Sequence, residues 1–153
     1  MKSFKVFNVE FDGIDKSGKD TIMKQIFSAA PNLYIPKSRG LISQIAYSHI
    51  YNRDFEYKVT KGYLENTLFV LLDVEEEDWK IRCDISGEHL NNRYRPDMEG
   101  DVEFVSNTEG FNFAYDYLKS LGANIIRFNT SVLTPYQIIK NVIAILDNLN
   151  KEE

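Results

Sequence analysis

The feature that most constrains the fold is a strand-like segment that runs directly into a glycine-containing loop. Residues 4–11, FKVFNVEF, are rich in valine and phenylalanine, as buried β-strands are, and they stop at Asp12-Gly13. From Gly13 the chain reads G-x-x-x-x-G-K, and residues 18–29 follow with apolar side chains at helical spacing. A strand that passes through a tight loop into a helix is the first half of a parallel β-α-β unit.

Strand-like and helix-like patterns continue to alternate along the chain. Further strands are predicted at residues 33–36, 67–74 and 124–129, and further helices at residues 41–52, 56–66, 75–84, 101–121 and 134–149. The run TLFVLLDV, residues 67–74, is continuously apolar, which is typical of a strand buried on both faces of a sheet. The pattern predicts a three-layer α/β fold, in which a parallel sheet of about 4 to 5 strands lies between helices. The length of 153 residues fits a single domain, residues 1–153.

Two helices carry recognisable end signals. Thr134 is predicted to cap the last helix, with Pro135 at its first position, where a missing backbone N–H costs nothing. Gly122 is predicted to close the helix at residues 101–121.

Composition excludes several classes of protein. The formal net charge is −5, from 18 basic and 23 acidic residues, which argues against a protein that coats nucleic acid. No apolar run approaches the roughly 18 to 20 residues that span a bilayer, and the N-terminus lacks a signal-peptide core. The lone cysteine, Cys83, excludes an internal disulfide framework, and with two histidines it argues against a zinc site. We therefore expect a cytoplasmic protein that binds neither nucleic acid nor a membrane.

The loop itself has the composition of a phosphate-binding site. Its glycines let the backbone wrap closely, so that consecutive N–H groups point at phosphate oxygens, and the following helix adds its positive end. Lys19 is predicted to reach the outer phosphates of a nucleotide, and Lys16 to add a second charge. A turn without a ligand is the alternative interpretation. The residues predicted to bind the nucleotide are Gly13, Asp15, Lys16, Ser17, Gly18, Lys19, Asp20 and Thr21.

Asp20 stands where such loops normally have a serine or threonine that holds magnesium. A carboxylate adds negative charge beside the phosphates, but it is also a stronger oxygen ligand for a hard cation. Thr21 faces a different side of the helix and is a poor substitute. We therefore interpret the loop as modified and predict that Asp20 binds Mg²⁺, directly or through water.

The loop resembles that of a known family. FDGIDKSGKDT, residues 11–21, is similar to the thymidylate kinase pattern F-E-G-x-D-x-x-G-K-[ST]-T, with Asp12 in place of the glutamate. Its G-K-D-T ending is similar to phage deoxynucleoside monophosphate kinases. The segment SRGLISQIAYSH, residues 38–49, resembles the family's D-R-x-x-x-S-x-x-A-Y-Q stretch, and LFVLLDV resembles its L-x-L-D-V strand. Residues 91–118 are similar to the exit of the family's lid.

The resemblance implies a P-loop kinase fold, ATP and Mg²⁺ as cofactors, and a nucleoside monophosphate as the substrate. It implies that Lys19, Arg39 and Asp15 are catalytic, with Arg39 on the acceptor phosphate and Asp15 on the acceptor's sugar hydroxyl. Ser43 and Tyr47 fall into register with residues that bind the acceptor. Asp15 as a cap of its own loop and Arg39 as a surface arginine remain open alternatives. The family's lid corresponds to about residues 82–100. Three arginines there are candidates to bind the donor nucleotide, and solvated surface arginines are the alternative interpretation: Arg82, Arg93 and Arg95.

The acceptor side departs from the family. Fewer residues lie between Lys19 and Asp73 than the family has, the R-E-P-G-G-T stretch is lost or reduced, and Ser38 replaces the family's aspartate. A rival alignment places residues 36–40 at that stretch, although Arg39 faces the acceptor phosphate in either alignment. Tyr47, Phe55 and Tyr57 are candidates to stack on the base, with core packing as the alternative, and His49 is expected to be structural or exposed.

Three functions follow from these observations. The leading prediction is a deoxynucleoside monophosphate kinase that transfers the terminal phosphoryl group of ATP to dTMP or a related monophosphate in viral or phage nucleotide metabolism. The second is a P-loop protein that binds a nucleotide without phosphorylating a substrate and acts as a sensor or partner-binding module. The third is a kinase for a different acceptor. By analogy with the family, a homodimer is expected, with the helices at residues 41–52 and 56–66 as its interface.

Overall fold

The computed structural model describes residues 7–14, 17–29, 34–38, 40–53, 59–86 and 100–151. Strands and helices alternate through these ranges. They are β1 (Phe7–Gly13), α1 (Lys19–Ala29), β2 (Tyr34–Ser38), α2 (Leu41–Ile50), α3 (Lys61–Glu65), β3 (Thr67–Asp73), α4 (Glu76–Ser86), α5 (Gly100–Ser120), β4 (Asn124–Asn129) and α6 (Pro135–Lys151). No helix in these ranges combines the length and the apolar character that a membrane span requires.

The strands form one parallel sheet in the order β2-β1-β3-β4. β1 pairs with β2 from Phe7↔Tyr34 onward and with β3 from Asn8↔Thr67 onward, so it has a hydrogen-bonded neighbour on each side. β4 extends the sheet on the other edge of β3. Because every strand runs in the same direction, their carboxyl ends meet at one edge of the sheet.

Each face of the sheet is covered by its own hydrophobic cluster. On one face, alternate residues of β1 and β3 pack against α1 and α6, with Ile26 and Val142 fully buried. On the other face, Phe69 and Leu71 of β3 pack against α2, α5 and Trp79 of α4. The predicted three-layer α/β fold is therefore confirmed, and the described strands fall within the predicted number.

Most predicted element bounds agree with the structure to within a few residues. Thr134 caps α6 as predicted: its hydroxyl accepts a hydrogen bond from Gln137 N at 3.2 Å, and Gln137 Oε1 accepts one from Thr134 N at 2.9 Å. Gly122 has a φ of +81°, the left-handed conformation with which a glycine closes a helix.

The helix predicted at residues 56–66 begins later in the structure. α3 starts at Lys61, because Thr60 is extended and its hydroxyl accepts a hydrogen bond from Tyr63 N at 3.1 Å. A threonine in this position is an N-cap, and it marks the end of the preceding segment. The first part of the predicted helix lies outside the described residues.

α2 and α5 pack closely on the second face of the sheet. A Cβ at Gly110 would lie 2.5 Å from Ile50 and 3.0 Å from the carbonyl oxygen of Ala46, so a small residue is needed where the helices meet. The buried residues of α2, which include Leu41 and Ile45, lie in the same cluster as those of α5. The apolar residues of α2, which we predicted to form part of a homodimer interface, therefore pack against α5 of the same chain. The homodimer stays a prediction.

Leu118 and Leu121 provide a matched test of this packing. Leu118, in α5, is fully buried, whereas Leu121 just beyond its end is 42% exposed. We expect Leu118→Ala to lower the free energy of unfolding by about 2–5 kcal/mol, because it removes buried methyl groups and leaves a cavity. Leu121→Ala should change it by less than about 1 kcal/mol. Urea unfolding of both variants measures the difference, and equal losses would contradict the described packing.

Candidate functional site

The glycine loop begins at the carboxyl end of β1, the strand that lies between β2 and β3 in the sheet. A Cβ at Gly13 would lie 2.4 Å from the carbonyl oxygen of Leu72 and 2.6 Å from Ser17 Oγ, so no other residue fits there. Gly18 has a φ of +89°, which a side chain would strain. Glycine is therefore required at the two positions for different reasons: at Gly13 there is no room for a side chain, and at Gly18 the backbone conformation disfavours one.

Lys19 is held across this loop. It is the first residue of α1 and only 8% exposed, and its Nζ donates a hydrogen bond to the carbonyl oxygen of Gly13 at 3.3 Å. Ser17 N donates to the carbonyl oxygen of Ile14 at 3.1 Å and tightens the turn. The arrangement brings a buried ammonium group and the positive end of a helix to the same point, which is a site suited to an anion.

Several predicted site residues fall where the structure does not describe them. Asp15, Lys16 and Arg39 lie outside the described residues, as do Arg93 and Arg95. Asp20 lies in the first turn of α1, one position after Lys19, but its side chain is also outside the description. The roles of these residues in phosphate, metal and acceptor binding stay predictions.

A cavity of about 320 Å³ opens beside the loop. Its size is at the lower end of the range for small-molecule sites. Residues of the loop and α1 line it together with residues of α4, of the segment that joins β4 to α6, and of the start of α6. The lining residues are Ser17, Gly18, Thr21, Ile22, Arg82, Thr130, Leu133, Pro135 and Ile138. A ligand in this cavity would contact the glycine loop and apolar side chains at the same time.

Arg82 is the predicted lid arginine that the structure does describe, and it lines this cavity. Its Nη1 donates to Thr130 Oγ1 at 3.2 Å and its Nη2 to the Thr130 carbonyl oxygen at 3.4 Å. Thr130 is itself fixed, since its N and its Oγ1 both donate to the carbonyl oxygen of Asp73 at 2.8 Å. The guanidinium group is therefore held on the cavity wall by the ends of β3 and β4.

Asp73, at the end of β3, is engaged in an ion pair that the sequence did not reveal. Arg127 of β4 donates from Nε to Asp73 Oδ2 at 2.9 Å and from Nη2 to Oδ1 at 2.8 Å. Arg127 also stacks on Tyr115 of α5, 4.9 Å from the ring centre. The hydrogen bond to Asp73 raises the pKa of Arg127, so the arginine stays charged. The signal in the sequence was a charged residue among the apolar residues Ile125, Ile126 and Phe128 of this strand.

Two buried carboxyl groups on β1 are the main feature that sequence reasoning missed. Glu10 is 1% exposed and Asp12 is fully buried, and both point to the face covered by α2. Glu10 Oε1 accepts from Leu41 N at 2.7 Å, and Asp12 Oδ1 accepts from Gly40 N at 2.9 Å. Their spacing of two residues in a predicted buried strand was the available signal, because such residues share one face.

Ser43 and Tyr47, the predicted substrate-binding residues that the structure describes, lie on α2. Ser43 is buried, and its hydroxyl donates a hydrogen bond to Asp12 Oδ1. Tyr47 packs edge-on against Phe111 of α5, with ring centres 5.7 Å apart, and stacks on Tyr51 at 6.2 Å. The structure thus brings Ser43 next to the strand that carries the loop, whereas Tyr47 takes part in packing between helices.

The other aromatic and histidine candidates are accounted for more simply. His49 is exposed and stacks on Phe113 with ring centres 4.1 Å apart, in agreement with the expected structural or exposed role. Phe55 and Tyr57 lie outside the described residues, and their stacking on the base stays a prediction.

These features define the class of fold. A parallel sheet between two helical layers, with a glycine loop and a lysine at the carboxyl end of a central strand, is the architecture of P-loop kinases.

Comparison with solved structures finds a similar fold in the YorR protein of Bacillus subtilis, whose crystal structure is in complex with phosphorylated GDP. The alignment covers 91% of this chain and 95% of YorR, with a TM-score of 0.62 and 12% sequence identity. At this identity the likeness concerns the fold alone. No protein-family model and no curated protein matches the sequence.

Asp12 makes the stability of the fold depend on pH. Burial raises its pKa above the ordinary value of 3.8, against the opposing effects of Ser43, Gly40 and Lys19. The native state therefore holds this proton more tightly than the unfolded state. As pH rises from 3.8 through the raised pKa, this contribution to stability is lost.

We expect the free energy of unfolding of the wild type to fall over this pH window relative to that of Asp12→Asn, which cannot ionise. Urea unfolding of both proteins at a series of pH values measures the difference. The same substitution at exposed Asp147 serves as the control. Parallel pH curves for the wild type and Asp12→Asn would contradict the prediction.

Proposed function

We propose that this chain is a nucleoside monophosphate kinase, which transfers the terminal phosphoryl group of ATP to dTMP or a related deoxynucleoside monophosphate. The observation that carries the proposal is the position of buried Lys19 in a glycine loop that also forms one wall of a cavity. A nucleotide fits both features, because its phosphates can bind at the loop and Lys19 while its base occupies the apolar part of the cavity. The nucleotide in the YorR complex supports a nucleotide ligand for this fold.

The donor half of the proposal follows from the loop and the cavity. The backbone N–H groups of the loop bind the phosphates, and Lys19 neutralises charge on the group that is transferred. Ile22, Leu133 and Ile138 offer an apolar surface for the base, while Arg82 offers hydrogen-bond donors. Phosphoryl transfer needs little covalent chemistry from the protein, so positioning and charge neutralisation are sufficient roles.

The acceptor half rests on the start of α2. Gly40 and Ser43 are both hydrogen-bonded to Asp12, the residue immediately before Gly13 of the loop. The first turn of α2 therefore lies beside the strand that delivers the donor site. Arg39 precedes Gly40 in the sequence, which supports its proposed role on the acceptor phosphate by paired hydrogen bonds. Asp15 is proposed to bind the acceptor's sugar hydroxyl.

Mg²⁺ fits this donor site through a single protein carboxylate. P-loop enzymes commonly use the residue after the loop lysine and an aspartate on a neighbouring strand. Here the first of these positions is Asp20, while Asp73 at the end of β3 has both carboxylate oxygens on Arg127. We propose that Asp20 holds the ion, with phosphate oxygens and water as further ligands. The ion would supply positive charge that shields the phosphates.

The engagement of Asp73 favours a second candidate function. If the ion pair with Arg127 persists when a nucleotide binds, the site lacks one customary carboxylate near the metal. The chain would then bind a nucleotide without transferring phosphate and would act as a sensor or partner-binding module. A kinase that uses a different acceptor remains a third candidate, because it needs the same donor site.

The proposed activity is tested by coupled ADP release with ATP and Mg²⁺ across dTMP, dUMP, dGMP, dAMP and dCMP. We expect turnover on at least one acceptor. We expect a loss of at least about a hundredfold in Lys19→Ala, because the charge on the transferring group is no longer neutralised. Lys24→Ala, on an exposed position of the same helix, is the matched control. ATP binding by calorimetry without turnover on any of these five acceptors would overturn the proposal and leave the nucleotide-binding module and the kinase for a different acceptor.

The cavity is tested separately through Arg82. We expect Arg82→Ala to weaken ATP binding by about tenfold, since it removes hydrogen bonds from a charged donor. Tripolyphosphate, which can occupy the loop but has no base, should lose less affinity. Lys80→Ala, an exposed neighbour on α4, is the control. Equal losses for ATP and tripolyphosphate in calorimetry would show that Arg82 acts on the phosphates and not on the nucleoside.

A further inference from the structure

The start of α2 is not capped by its own residues. Its N-cap position is Gly40, which has no side chain to accept a hydrogen bond, and its first turn has no acidic residue. The hydrogen-bond acceptors for this helix end come from β1: Glu10 accepts from Leu41 N and Asp12 accepts from Gly40 N. The two strand residues therefore perform the task that an N-cap serine or aspartate performs in other helices.

The contact between the strand and the helix is unusually close. A Cβ at Gly40 would lie 1.7 Å from Glu10 Oε1 and 2.5 Å from its Cδ, so any other residue would displace either the Glu10 carboxylate or the start of the helix. Ser43, one turn further along, donates its hydroxyl to the same Asp12 oxygen that accepts from Gly40 N. The first turn of α2 is thus tied to β1 by two backbone N–H groups and one hydroxyl.

This anchor is costly for a role in packing alone. Two carboxyl groups must leave water, and apolar residues on the same face of β1 would avoid that cost. The helix could also have been capped locally, as α6 is capped by Thr134. What the acids add is a fixed position for the start of α2 relative to the phosphate loop. Asp12, which holds the helix, is the residue immediately before Gly13, where the loop begins.

We propose that Asp12 and Glu10 are positioning residues that lock the start of α2 against the phosphate loop, so that acceptor and donor phosphates meet at a fixed distance. The inference rests on the proposed function, since the start of α2 carries the residues assigned to the acceptor. Phosphoryl transfer is sensitive to such distances, because a displacement of about 1 Å can cost about a hundredfold in rate.

The test compares Asp12→Ala and Asp12→Asn, with Asn8→Ala as the matched control on the same face of β1. Three quantities are measured: the acceptor KM, the ATP Kd, and hydrogen exchange at the Gly40 and Leu41 amides by NMR. In Asp12→Ala we expect faster exchange at Gly40 and an acceptor KM raised by about tenfold, with the ATP Kd changed by less than about threefold. Asp12→Asn should recover part of the loss, because its carboxamide oxygen can accept the same hydrogen bond.

Gly40→Ala is the second variant, because it keeps both acids in the sequence while its methyl group collides with the Glu10 carboxylate that accepts from Leu41 N. It should show the same pattern of faster exchange and a raised acceptor KM. Unchanged exchange at Gly40 in Asp12→Ala would overturn the anchor. Faster exchange with an unchanged acceptor KM would overturn the positioning role.

Failure of the proposed function is distinguishable from failure of this inference. If the wild type neither binds nor phosphorylates any monophosphate, the proposed function and the acceptor part of the inference are both overturned. The amide exchange of the variants does not depend on turnover, so it still decides whether Asp12 anchors α2.

Discussion

The rest of the structure depends on the hydrogen bonding of β1 on both of its edges. With β2 on one side and β3 on the other, the strand is held along its whole length, and its end at Gly13 is fixed against the carbonyl oxygen of Leu72. The loop begins from this fixed point, and Lys19 closes it by donating back to Gly13. The position of the buried ammonium group is therefore set by the sheet as much as by the loop.

The two faces of β1 make different contacts, one apolar and one polar. Phe7, Val9 and Phe11 contribute to the hydrophobic cluster under α1 and α6, which stabilises the fold by removing apolar surface from water. Glu10 and Asp12 on the opposite face meet the start of α2, where their hydrogen bonds offset part of the cost of burial. A single strand thus secures the helix that follows the loop and the helix proposed to bind the acceptor.

A second set of polar contacts organises the ends of β3 and β4. Arg127 pairs with the side chain of Asp73, while Thr130 donates to the backbone of the same residue and accepts from Arg82. The cavity wall, the sheet edge and α5 are connected through these few groups. In such a network the loss of one partner leaves another buried or half-buried polar group unsatisfied, so substitutions within it should not be additive.

The sequence by itself determined the features that depend on neighbouring residues. Strand and helix periodicity predicted β1, β3, β4 and α6 closely. The capping residues Thr134 and Gly122 act on backbone within a few positions. The α/β class followed from the order of these elements, and the loop from its glycines and lysine.

Only the tertiary structure decided which polar groups meet. Glu10 and Leu41 are 31 positions apart, Arg82 and Thr130 are 48 apart, and Asp73 and Arg127 are 54 apart. No local pattern specifies such pairs, because they depend on strand order and on which face of the sheet each helix covers. The same limit explains why α2 was predicted as a helix while the residues that cap it, in β1, were not.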